Sequence, residues 1–198
     1  MKQPFVFVLH HLGVAWEFVR GAFWSVILTK SYRKLRVGRN LQTIGTVQID
    51  SSVVVGSNVK LFENITIGCN TIIGDNVELR CNKNQKIVVG QRCTVNRGSV
   101  IIGNVSIGDD CLIAPNSVLA GGNHVFSDTS IPINTQGVHS KGIIIEENVW
   151  VGAGSVILDG VTIGAGSVIG AGSVVTKDIP RGVVAVGNPC KTIKQLQR

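Results

Sequence analysis

Two of the four histidines, His124 and His139, stand in one stretch, GGNHVFSDTSIPINTQGVHSKGI, where an otherwise regular pattern of the chain breaks off. An imidazole titrates near neutrality and can take the proton from a hydroxyl as its oxygen attacks a carbonyl carbon. A histidine thrown out on a loop is therefore a candidate general base. The other two, His10 and His11, belong to a separate N-terminal segment. A catalytic zinc site needs three converging ligands, which these positions do not offer, and no metal is expected. The cysteines, Cys69, Cys81, Cys93, Cys111 and Cys190, are odd in number and form no C-x2-C pair. That argues against a zinc or disulfide framework and for a reducing compartment. Cys93 and Cys111 hold equivalent places in the repeat, so neighbouring strands would bring them within disulfide reach; two small apolar core residues is the plainer reading.

The pattern that breaks there is a six-residue pulse. Aliphatic residues recur at Ile49, Val55, Leu61, Ile67, Ile73 and Leu79, again from Val89 to Leu119, and again from Ile145 to Val175, fading at Arg181. Such a period fits neither an α-helix nor an ordinary strand-and-turn domain. It marks a parallel β-helix, a coil of short strands stacked rung on rung. The aliphatic positions fill the interior. Small or β-branched residues four places later (Thr71, Cys93, Ser99, Cys111, Ser117, Ser155) fill narrower inward space, and glycine or asparagine eases the corners. Three six-residue sides make a triangular rung, and the counted repeats give about six rungs, a prism roughly 30 Å long. The spacing does not give the hand of the coil. Two interruptions break register: a four-residue addition near Cys81–Val88, and the long loop 121–144. Long loops on a rigid scaffold tend to carry function.

Length and composition agree with one all-β domain plus a small appendage. Glycine, 24 of 198 residues, is enriched over the usual ~7%, but the six-residue spacing excludes collagen, and the aliphatic content excludes disorder. The net charge of +7 is uneven. Lys30, Arg33, Lys34, Arg36 and Arg39 follow the apolar N-terminus, and Lys177, Arg181, Lys191, Lys194 and Arg198 crowd the C-terminus. Two local clusters suit phosphates or an acidic membrane surface better than a nucleic-acid track, and no nucleic-acid motif accompanies them. The expected division is an apolar and basic helical segment at 1–40, the coil at 41–186 and a basic tail at 187–198. Glu17 and Arg20 sit inside the apolar stretch, each costing roughly 2.5–3.5 kcal/mol at a bilayer centre. Residues 1–36 are thus read as a segment that packs on the coil end or another copy, or lies on a membrane surface, rather than as a span.

Residues 45–196 resemble the left-handed β-helix, hexapeptide-repeat acyltransferases, in particular the galactoside, maltose and polysaccharide O-acetyltransferase group. The likeness is sharpest in VSIGDDCLIAPNSVLAGGNHVF (105–126) and in IIIEENVWVGAGSVILDGVTIGAGSVIGAGSVVTKDIPRGVVAVGNPCKTIK (143–194). The resemblance implies a left-handed coil, a homotrimer, acetyl-CoA bound in a groove between neighbouring prisms, and a sugar or glycan acceptor. It places His124 at the family's catalytic histidine, with His139 outside the matching motif. Asn96 matches an asparagine that holds the acceptor or the developing oxyanion, a task for an amide N–H; alone it would read as a corner residue. Trp150 matches a tryptophan at the edge of the site, able to stack on a sugar face, and Asn123 joins it as a candidate acceptor ligand. Ala153, Ala171 and Gly172 match small residues along the pantetheine arm, and Thr176 and Lys177 a pair near the nucleotide. Lys191 and Lys194 stand where arginine is common, so their phosphate contacts would be point charges rather than forks.

The expected activity is acetyl transfer from acetyl-CoA to a sugar hydroxyl in bacterial surface polysaccharide or lipopolysaccharide assembly. It would take place in the cytoplasm, with a lipid-linked acceptor and contact with the inner membrane face left open. N-acetylation of a nucleotide-linked amino sugar is the alternative, though no N-terminal nucleotide-binding unit is visible. The N-terminal segment is too short for a serine acetyltransferase. A β-helix carbonic anhydrase would need the three histidines. A non-catalytic scaffold would show a flat face of like residues; no threonine or asparagine ladder is apparent, and the histidine loop would go unexplained. Asp128, Glu146 and Glu147 are candidates to orient His124.

Overall fold

The six-residue pulse becomes a coil with three flat faces in the computed structural model, which describes residues 35–197. Each turn lays one strand on each face, and each strand pairs in parallel with the one a turn below. On face A, Val54–Val55 stacks on Arg36–Val37, and Ile72–Ile73 on Val54–Val55. Face A carries eight parallel strands, ending with Val183–Val186; face B runs in seven strands from Gln42–Ile44 to Val174–Val175; face C has six, from Val47–Ile49 to Thr162–Ile163. The edges between faces are named AB, BC and CA below.

The coil therefore has about eight turns, not six. The difference lies at the ends. Leu35 and Val37 are buried, so the first turn begins within the stretch read as the N-terminal segment 1–40 instead of at residue 41. At the other end the pulse fades because the BC corner is shortened: Ile163 bridges to Ile179. Ile179 and Ala185 then take the inward places while Arg181 stays exposed. The tail adds an unforeseen strand, Lys191–Gln195, antiparallel to Val183–Val186 at the end of face A. The N-terminal helical and membrane-contact readings lie outside the described residues up to position 34. Among the described residues no helix is long and apolar enough to cross a membrane.

The aliphatic repeat positions form one continuous buried core. The places four residues on are buried too, including Thr71, Ser99, Ser117, Ser155, Ser167 and Ser173. Their hydroxyls donate to corner carbonyls: Thr71 to Gly90 at 2.8 Å, Ser167 to Pro180 at 2.7 Å, Ser173 to Gly170 at 2.6 Å. Left unbonded, each buried hydroxyl would cost about 1–3 kcal/mol. All five cysteines are free, with Cys93 and Cys111 donating to the carbonyls of Gly108 and Glu146 at 3.1 and 3.0 Å.

Edge AB does hold a short asparagine ladder: the Asn40 amide donates to Asn58 at 3.0 Å and that of Asn58 to Asn76 at 3.1 Å. All three residues have positive φ, so the ladder secures tight corners; it is not the flat binding face of a scaffold. Both interruptions emerge at edge BC. In the smaller one Ile65 pairs with Ile87, and Asn64 ties the extra residues by donating to the carbonyls of Lys83 and Gln85 at 2.8 and 3.1 Å. In the larger one Val105 pairs with Ile143, and the chain between Gly121 and Gly142 leaves the coil.

Candidate active site

The extruded loop is a hairpin built by its own polar groups. Asn123–His124 pairs antiparallel with Val138–His139, and at the base the Ser140 hydroxyl donates to the Gly121 carbonyl at 2.5 Å. At the tip, the Asp128 carboxylate accepts from the Ser130 hydroxyl (2.5 Å) and N–H (2.9 Å). These bonds hold the Asp128 carboxyl below the usual carboxylate range. The Gln136 amide closes the tip on the carbonyls of Asp128 and Ile131, at 2.7 and 3.2 Å. None of this needs a core, and Phe126, Ile131, Ile133 and Val138 stand exposed in solvent.

His124 projects from this hairpin, exposed, opposite Val138. Side chains alternate along a strand, so Asn123 points to the other side of the ribbon. There it pairs with His139, whose Nδ1 lies 3.2 Å from the Asn123 carbonyl oxygen. The predicted acceptor ligand Asn123 is thus not beside His124. None of the three acids considered as its orienting group meets it either. Asp128 is engaged with Ser130, Glu146 accepts the Ala165 N–H at 2.8 Å, and Glu147 lies 3.9 Å from Arg181.

Asn96 sits on a different edge. It follows the face-A strand Thr94–Val95 at edge AB, and its side-chain amide donates to the Ile113 carbonyl at 3.1 Å. That bond fixes the amide while leaving a second N–H and the carbonyl oxygen free. Above it the edge narrows to small residues. Val95, Ile113, Val151 and Ile169 stack in register, so Ala153 and Ala171 follow one another up the corner, with the Gly172 N–H donating to Ala153 at 2.8 Å. A Cβ at Gly154 or Gly172 would meet nothing within 4 Å. The result is an open shelf of backbone, a shape that fits a thin pantetheine arm. Lys191, paired opposite Val186, lies exposed at the top of the same edge, and Lys194 lies further across face A.

The structure therefore brings Asn96, Ala153, Ala171, Gly172 and Lys191 to edge AB. Trp150, half exposed on face A between Leu112 and Val168, is two residues short of that edge. His124, Asn123, Thr176 and Lys177 lie on the far side of face B, at edge BC. One side of six residues at about 3.3 Å each separates the edges by roughly 20 Å, so His124 and Asn96 of one chain cannot touch the same reacting atoms. They do stand at neighbouring levels, one turn apart. Thr94–Val95 pairs with Leu112–Ile113, the strand whose turn runs on through Val118–Gly121 into the loop. A concave patch of about 750 Å³ lies elsewhere, at edge CA, lined in part by Glu147, Asn148, Arg181 and Gln195. None of the predicted site residues lines it. Among the described residues no cluster of His, Cys, Asp and Glu could hold a metal ion.

Residues 86–121 and 142–177 match the model of the bacterial transferase hexapeptide family, described as six repeats. No curated protein sequence matches the chain. Solved structures do. The hexapeptide-repeat acetyltransferase VCA0836 from Vibrio cholerae O1 biovar eltor, complexed with acetyl coenzyme A, is 30% identical. It aligns over 66% of this chain and 70% of its own, with a TM-score of 0.60. The polySia-specific acetyltransferase NeuO is 31% identical over 82% of this chain and 87% of its own, with a TM-score of 0.50. AntD, an N-acyltransferase from Bacillus cereus complexed with dTDP-4-amino-4,6-dideoxyglucose and coenzyme A, is 21% identical. It covers 83% of this chain and 82% of its own at a TM-score of 0.56, and shares the fold alone. A coil of hexapeptide turns, matched over most of the length of relatives at 30% and 31% identity, places this chain in the hexapeptide-repeat acetyltransferase family.

Proposed function

We propose that the protein moves acetyl from acetyl-CoA to a sugar hydroxyl, within a trimer whose active sites form where edge BC of one copy meets edge AB of the next. One observation carries this reading: His124 and Asn96 stand at neighbouring levels of the coil, both accessible, but on different edges. A rotation about an axis parallel to the coil leaves heights unchanged. A threefold assembly of that kind sets the histidine of one copy against the asparagine and small-residue shelf of its neighbour.

In that cleft His124 takes the acceptor hydroxyl proton as the oxygen bonds to the acyl carbon. The carbon–sulfur bond then breaks, and the imidazolium returns its proton to the departing thiolate. Asn96, held by the Ile113 carbonyl, presents its remaining N–H to the oxygen on which charge develops. Ala153, Ala171 and Gly172 line the pantetheine arm, and Thr176, Lys177, Lys191 and Lys194 serve the nucleotide end. Trp150, on face A beside the shelf, offers an indole plane to a sugar or the arm. VCA0836, complexed with acetyl-CoA, supports the donor, and NeuO, specific for polySia, supports a glycan acceptor.

An acceptor screen with acetyl-CoA tests the reading through free thiol release and product mass. An ester product, labile to mild alkali, is expected; an alkali-stable amide would move the acceptor to an amino sugar. The setting is the cytoplasm, in bacterial surface polysaccharide assembly, with a lipid-linked acceptor and residues 1–34 against the inner membrane face. Leu35 belongs to the core, so a shortened chain starts there. Equal pelleting with anionic liposomes by the full and shortened chains would remove the membrane contact.

A further inference from the structure

We infer that the acceptor carries negative charge, a carboxylate or phosphate on the glycan, and that Arg97 is the residue that selects it. The inference rests on the edge-to-edge site proposed above. Arg97 follows Asn96 on edge AB, and its backbone is built into the corner: its carbonyl accepts the Asn116 N–H at 3.1 Å. Its guanidinium is exposed and has no hydrogen-bond or ion-pair partner among the described residues. Arg80, Arg92 and Arg181 lie 2.7, 2.6 and 3.9 Å from Glu78, Asp110 and Glu147. Arg36 and Arg39 also have no side-chain partner among the described residues, but they sit on the first turn, well below Asn96. Asp75, one turn below, spends a carboxylate oxygen on the Ser57 N–H at 2.6 Å. Above it the corner continues through Pro115, Ala153 and Ala171, which carry no charge.

The opposite bank has the same sign. The four-residue addition at edge BC, below the histidine loop, presents Lys83 and Lys86, both exposed and both without a carboxylate partner among the described residues. Asn64 clamps this bulge through the Lys83 carbonyl, and the Val105 N–H donates to the Lys86 carbonyl at 3.1 Å, so the backbone is fixed and the ammonium groups are free. Of the acids on that edge, Glu63 lies a turn below, Asp128 is bonded to the Ser130 hydroxyl and N–H, and Asp159 accepts the Lys141 and Gly142 N–H groups at 3.0 and 2.7 Å. Where edge BC meets edge AB, a fork-shaped guanidinium beside Asn96 thus faces two ammonium groups across the cleft. Arginine reads planar or tetrahedral oxyanions through paired N–H bonds, while lysine adds unoriented charge. A neutral sugar would leave all three charges unused.

The test measures kcat/KM with acetyl-CoA on lactose, sialyllactose and a phosphate-bearing disaccharide, for the wild-type chain, Arg97→Gln, Arg97→Lys and Lys83→Gln/Lys86→Gln. The wild type is expected to favour a charged acceptor. Arg97→Gln should lower kcat/KM for that acceptor about 10–100-fold more than for lactose, mainly through KM, the worth of a charge-assisted bond. Arg97→Lys should recover part of the loss, and the double lysine change should weaken the salt dependence of KM. Which charged sugar responds separates carboxylate from phosphate. His124-dependent transfer to lactose at least as good as to either charged sugar overturns the charge assignment alone, as does an equal loss on all acceptors in Arg97→Gln. Absence of hydroxyl transfer in the wild type, with acetyl-CoA still bound, overturns the proposed function and this inference together.

Discussion

His124 can act as a base only if its ring is held toward the acceptor, and no side chain among the described residues holds it. In the proposed trimer, its place on the exposed hairpin leaves orientation to the neighbouring copy and the substrate. His124→Ala is expected to lower turnover by on the order of 10²–10⁴, the usual worth of a general base, while acetyl-CoA affinity by titration calorimetry stays near wild type. Wild-type-like turnover in that variant would assign the proton to another group. His139 serves as the internal control. Its ring is turned to the opposite side of the ribbon, against the Asn123 carbonyl, so His139→Ala should cost far less than His124→Ala in the same assay. The sequence offered both histidines on one loop, and the antiparallel register now separates them: the two side chains leave the ribbon on opposite sides. The same alternation removes Asn123 from the side of His124, a distinction unreadable without knowing that residues 123 and 124 form a strand.

At the scale of elements, the loop depends on how it leaves the coil and how its tip is tied. Gly103 and Gly121 stack at the point of departure. Gly103 has φ +89°, and a Cβ there would run into the Gly121 carbonyl. Gly103→Ala should therefore cost on the order of 1–3 kcal/mol from backbone strain alone, read as a lowered Tm, and reduce activity further by shifting the loop base. At the tip, Asp128 has its carboxyl depressed by the Ser130 hydroxyl and N–H. A depressed carboxylate contributes order that is complete above the ordinary value near ~3.9 and is lost as pH falls through the folded value. Protection factors of the amides at residues 126–137, with exchange referred to the intrinsic rate at each pH, should accordingly fall on going from pH 6 to below about 3, while the coil strands stay protected. Asp128→Asn should raise exchange in the loop already at pH 6; unchanged protection in both experiments would remove the carboxylate from the loop's support.

The coil itself was plain in the sequence, because within each of the three runs, Ile49–Leu79, Val89–Leu119 and Ile145–Val175, every six-residue position needs an apolar side chain and has one. The ends were not. Leu35 and Val37 hide beside basic residues, and the shortened corner before Ile179 breaks the count. The strand Lys191–Gln195 is exposed throughout and has no apolar alternation to announce it.

For the whole molecule, the proposed function requires that one chain carry two halves of a site that it cannot close, His124 at edge BC and Asn96 at edge AB. Phe126, Ile131 and Ile133 on the loop, and Ile72, Leu112 and Trp150 on face A, are exposed apolar groups of the kind that assembly covers. A closed ring of heterologous contacts uses one edge BC and one edge AB at every interface, so each active site should take His124 from one chain and Asn96 from the next. His124→Ala and Asn96→Ala chains, each nearly inactive alone, should therefore regain activity when unfolded together and refolded as mixed trimers. With random assortment, about a quarter of interfaces pair an intact histidine with an intact asparagine, and the recovered rate should approach that share of wild type. Mass spectrometry of the intact assemblies establishes that mixing has occurred. Mixed trimers as inactive as either parent would mean that the two residues do not meet across an interface, and that the site is completed in some way other than edge to edge.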